Sequence, residues 1–70
     1  MTPDQLRTAL GELNGERAAT FAIVGITESI MVANAMLIPD DPDHLVKVTD
    51  GKSVFIIDAE RVAWVRIGLK

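Results

Sequence analysis

The chain opens on a helical pattern and changes period after residue 16. Leu6, Leu10 and Leu13 fall at i, i+4 and i+7, one narrow apolar stripe on a helix. Thr2 can cap, Pro3 suits the first helical position, and Gln5 completes a capping box with Thr2. Asp4 lies at the positive end of the helix dipole. Asn14-Gly15 supplies a left-handed stop. The pattern therefore predicts a helix over about 3–14. So short a helix is marginal alone, and its leucines must rest on something else.

From Arg17 the period is two. Ala19, Phe21 and Ile23 share one face; Thr20, Ala22 and Val24 share the other. Thr27-Glu28-Ser29 reads as a turn. Ile30, Val32, Asn34, Met36 and Ile38 then alternate with Met31, Ala33, Ala35 and Leu37. Pro39 and Pro42 end that run, because proline cannot lie inside a central strand. His44 to Thr49 is a short strand, and Asp50-Gly51 is a tight hairpin signal before Val54. A sharp turn at Asp58-Ala59-Glu60 precedes the last apolar run. Strands are expected over about 17–27, 29–38, 44–49, 52–58 and 61–68. Residues 1–70 thus read as one small domain, mainly β with one N-terminal α-helix. The expected architecture is a five-stranded antiparallel small barrel.

Order and turns of this kind carry a resemblance. The run Val54-Phe55-Ile56-Ile57-Asp58-Ala59-Glu60-Arg61-Val62-Ala63-Trp64-Val65 places two strands around a very short turn. With the capped helix and three preceding strands, the layout resembles the Sm-like (SH3-like) small barrels over nearly the whole chain. It is most similar to the Hfq-type members. The resemblance implies rings of six or seven subunits, in which the fourth strand of one copy pairs with the fifth of the next. It also implies single-stranded RNA as a ligand. Asp58 and Ala59 stand where the Hfq pattern has a Lys-His pair, so an acid occupies the place that would meet phosphate.

Composition narrows the function. The apolar set is 49 % and charged residues 24 %, too apolar for disorder. Ten acidic against seven basic residues leave a net charge of -3, which disfavours RNA, since phosphate backbones need surplus Lys and Arg. The absence of cysteine excludes disulfides and cysteine zinc sites and is compatible with a reducing cytosol. The stretch Ala18 to Pro39 is long enough for a bilayer, but Glu28 at its centre costs roughly 2.5–3.5 kcal/mol on insertion. Two strands and a turn account for it better. With no basic start followed by an apolar run, the expected location is cytoplasmic. So small a domain buries only about 60 % of its unfolded surface, and without disulfides or a metal the common remedy is self-association.

Catalytic and metal chemistry find little footing. Asp40, Asp41, Asp43 and His44 cluster around Pro42, but lack the alternation of a calcium loop. They read as a solvated loop that discourages edge pairing. His44, the only histidine, has no cysteine or serine elbow to serve. No phosphate-cradling glycine loop is present. The expectation is a chain without enzymatic activity, cofactor or metal.

Two surface hypotheses remain. Lys47, Arg61 and Arg66 form a basic strip if their strands are neighbours, and Trp64 beside Arg66 is a stacking platform for an unpaired base. Against this, Val54, Phe55, Ile56 and Ile57 are apolar on both faces, and tryptophan and arginine are common at protein interfaces. The leading expectation is therefore a binding and assembly module that self-associates into a ring. Its contact would run through Val54, Phe55, Ile56, Ile57, Val62, Trp64 and Arg66. An RNA-binding regulator is the alternative.

Overall fold

The computed structural model describes residues 1–40 and 42–69. Helix α1 spans Pro3–Leu10. Its capping box forms as expected: Gln5 N–H donates to Thr2 Oγ1 at 3.1 Å, and Thr2 N–H donates to Gln5 Oε1 at 3.0 Å. The helix stops earlier than Asn14-Gly15. Gly11 is its C-cap, its N–H donating to Thr8 O at 3.3 Å. Leu13 follows the helix yet is buried, so the third leucine of the stripe is used from a turn. Gly15 has φ +85°, where a side chain is disfavoured, and its N–H donates to Ala35 O at 3.0 Å. Its role is docking the chain to the sheet.

Five strands follow: β1 (Arg17–Ile23), β2 (Ile30–Leu37), β3 (Val46–Thr49), β4 (Val54–Ile57) and β5 (Val62–Ile67). A single 3-10 turn, Ala59–Arg61, separates β4 from β5. All pairings are antiparallel, in the order β4-β3-β2-β1-β5. The strands are shorter than their apolar runs. β1 ends at Ile23, four residues short of 27, because Gly25 takes φ +87° and turns the chain two residues before the expected turn at Thr27.

β2 serves two partners. Ile30, Met31 and Val32 lie opposite Phe21, Thr20 and Ala19 of β1, whereas Met36 and Leu37 lie opposite Thr49 and Val48 of β3. Asn34, at φ +49°, sits at an irregularity within the β1 pairing, which resumes with Ala35 opposite Arg17. The irregularity adds a residue, so Val32 and Ala35 are both buried although three apart. This corrects the strict alternation expected for Ile30 to Ile38. Leu37 packs against the core, and Met36 is exposed.

Phe21, Val32, Val46 and Val48 form the floor of the core, and Leu6, Leu10 and Leu13 cover it from the helix side. Each such side chain contributes about 1.5–3 kcal/mol by leaving water. Ala59 and Val62 complete the cluster. Among the described residues β4 and β5 are not paired with each other, so the sheet is not closed into a barrel. The physical reason lies in the connection. Asp58 Oδ1 accepts from Glu60 N–H at 3.1 Å and tightens the 3-10 turn. β5 leaves it to pair with β1. No helix among the described residues is long and apolar enough to cross a membrane.

Candidate functional site: two open strand edges

The two ends of the sheet are β4 and β5, each paired on one side only among the described residues. Pairing on β4 sets its faces. Phe55 and Ile57 lie opposite Val48 and Val46 and point inward, half-buried. Val54 and Ile56 lie opposite Thr49 and Lys47 and face solvent, Ile56 at 62 % exposure. On β5, Val65 and Ile67 lie opposite Phe21 and Ala19 and pack on the core. Trp64 and Arg66 lie opposite Ala22 and Thr20 on the outward face. The indole is 47 % exposed.

The residues expected at an assembly contact therefore divide. Val54, Ile56, Trp64 and Arg66 are available to a neighbour. Phe55 and Ile57 are half spent on the core. Val62 is buried within it, so its side chain serves the fold. Neither edge carries the usual protection against strand pairing. β4 has no charge or proline, and β5 has only Arg66. The chain exposes 4663 Å². A compact monomer of this mass exposes about 4300 Å².

An apolar groove of 130 Å³ opens beside β4. Phe21 and Val32 floor it; Ile30, Phe55 and Ile56 form its walls. Residues of β1, β2 and β4 line it together. A wider cleft of 590 Å³ lies beyond β4, between Pro3 at the helix start, His44 and the turn residues Asp58 and Glu60.

The basic strip is not assembled. β3, with Lys47, is separated from β5 by β2 and β1. Lys47 Nζ stands 2.8 Å from Asp43 Oδ2, and Arg61 Nε 3.6 Å from Asp58 Oδ2. Arg66 has no carboxylate partner among the described residues.

The carboxylates after β2 are engaged with the fold. Asp40 Oδ1 is 3.0 Å from Arg7 Nη2 and 3.5 Å from His44 Nδ1. Asp43 also accepts from Leu45 N–H at 3.0 Å, and these bonds with Lys47 hold its pKa below the ordinary value. Asp50 is lowered likewise by the N–H groups of Ser53 and Lys52. No group of three His, Cys, Asp or Glu suited to a metal occurs among the described residues; Asp41 lies outside them.

A surface feature absent from the strand pattern is the turn after β1. Val24 and Ile26 are exposed there, at 61 % and 55 %. Gly25 was the signal, since glycine inside an apparent strand often marks a turn or bulge. No family model, curated protein or solved structure matches the chain.

Proposed function

We propose that this chain is a non-enzymatic binding and assembly module of the small-barrel class. Copies pair β4 of one with β5 of the next, and the repeated head-to-tail contact closes into a ring. The observation that carries the proposal is the pair of open edges. Both end strands have one edge unpaired among the described residues, and both present large apolar side chains on their outward faces. Pairing would satisfy the free backbone groups, and place Ile56 and Trp64 of successive copies on one continuous face.

Nucleic acid has less support as a ligand. Of Lys47, Arg61 and Arg66, only Arg66 is without a carboxylate partner among the described residues, and the net charge is -3. Several phosphate contacts are needed for tight binding.

Solution mass by light scattering and sedimentation tests the assembly. The expected mass is a small multiple of 7.6 kDa. Ile56→Asp and Trp64→Ala, both at exposed positions, should lower it without unfolding the chain. A parent protein that stays a single copy, or variants that keep the parent mass, would overturn the proposal. Salt-sensitive binding of short single-stranded RNA, lost in Arg66→Ala, would favour the nucleic-acid alternative.

A further inference from the structure

Pairing at the strand edges would leave the outward face of β1 and β5 bare. That face has a defined relief. Its floor is Thr20 and Ala22 on β1, both small, with Thr20 already buried and Ala22 half-buried. Trp64 and Arg66 stand along one side from β5, and Met31, largely exposed, stands on the other from β2. Arg66 is the charged residue of this relief and has no carboxylate partner among the described residues.

The same chain carries apolar side chains and an opposite charge on one exposed turn. Val24 and Ile26 project from the β1–β2 turn into water. Glu28 follows two residues after Ile26, is exposed, and has no cationic partner among the described residues. The turn is held in place. Val24 N–H donates to Arg61 O at 2.7 Å, and Ile26 N–H donates to Ile23 O at 3.1 Å. Its apolar side chains are therefore presented with little ordering left to lose on contact.

We propose that the outward face of β1 and β5 receives the β1–β2 turn of a second copy, with Val24 and Ile26 against Trp64 and Glu28 against Arg66. The contact removes exposed indole and aliphatic surface from water on both sides. It pairs a lone cation with a lone anion, and charge complementarity fixes the orientation. It uses different backbone from edge pairing, although Trp64 and Arg66 border both contacts, and Glu28 belongs to this one alone. Among possible partners the second copy is favoured because it supplies both the apolar groups and the carboxylate. A polyanion would find a single free cation on this face.

The test uses the full chain carrying Ile56→Asp, which disables the β4 edge, together with the parent. Sedimentation over a wide concentration range should show the Ile56→Asp protein forming dimers. Glu28→Arg and Arg66→Glu should each weaken that dimer about tenfold, and the double reversal should restore it. Trp64→Ala should weaken it as well. The proposal is overturned if the Ile56→Asp protein stays a single copy at every concentration. It is overturned equally if the single reversals change nothing, or if the double reversal fails to restore association. Loss of the edge contact alone leaves this result readable, because it is measured with that edge already disabled.

Discussion

Arg7 on α1 and Asp40 beyond β2 stand 3.0 Å apart, guanidinium nitrogen to carboxylate oxygen. The same Nη2 donates to Leu45 O at 2.9 Å. One side chain thus ties the helix to both ends of the connection between β2 and β3. It is only 15 % exposed, so solvent does little to replace what it holds.

Arg7→Leu should therefore destabilise the fold by about 1–3 kcal/mol, read from urea denaturation. Asp40→Asn should cost less, because that carboxylate is half-exposed and screened. An Arg7→Leu protein with an unchanged midpoint would show that the tie carries no stability.

The capping box predicts a second, smaller loss. Thr2→Ala removes the acceptor for Gln5 N–H and should cost about 1 kcal/mol. Thr2→Asp, which retains an acceptor, should preserve most of the stability. Equal melting temperatures for the alanine and aspartate variants would count against the cap.

Asp43 gives a pH dependence. Lys47 and the Leu45 N–H stabilise its ionised form, so its pKa is lower in the folded chain than in the unfolded one. A carboxylate lowered in this way adds stability above its ordinary value, near 3.8, and loses it as pH falls through the lower folded value. Asp43→Asn should flatten the decline in stability below about pH 4. Unfolding midpoints of parent and variant that fall in parallel across this window would contradict the assignment.

Asn34 tests the irregularity in the pairing of β2 with β1. Its φ of +49° is one that glycine adopts without strain and β-branched residues avoid. Asn34→Gly should be neutral or stabilising by up to about 1 kcal/mol, whereas Asn34→Val should destabilise by at least about as much. The reverse order in thermal melts would mean that the corner is not held in this conformation.

Much of the local structure was legible in the residues. Thr2, Pro3 and Gln5 specify a helix start because capping is chemistry between near neighbours. Alternation in Val54 to Ile57 separates inward from outward side chains because a strand has period two. Asp50-Gly51 marks its turn for the same local reason, with Gly51 at φ +92°. The acidic balance and the lack of cysteine likewise belong to the chain alone.

Tertiary structure decided what depends on partners. The added residue at Asn34 puts Ala35 inside and Met36 outside, which period two does not foresee. Strand order kept Lys47 away from Arg66, because β1 and β2 lie between their strands. The turn at Asp58 sent β5 to β1, so β4 and β5 became open edges although only four residues, Asp58 to Arg61, join them. A sequence sets the preferences of each segment, through forces that reach a few residues. Which segments meet is set by the burial they achieve together, and that becomes visible only in the folded chain.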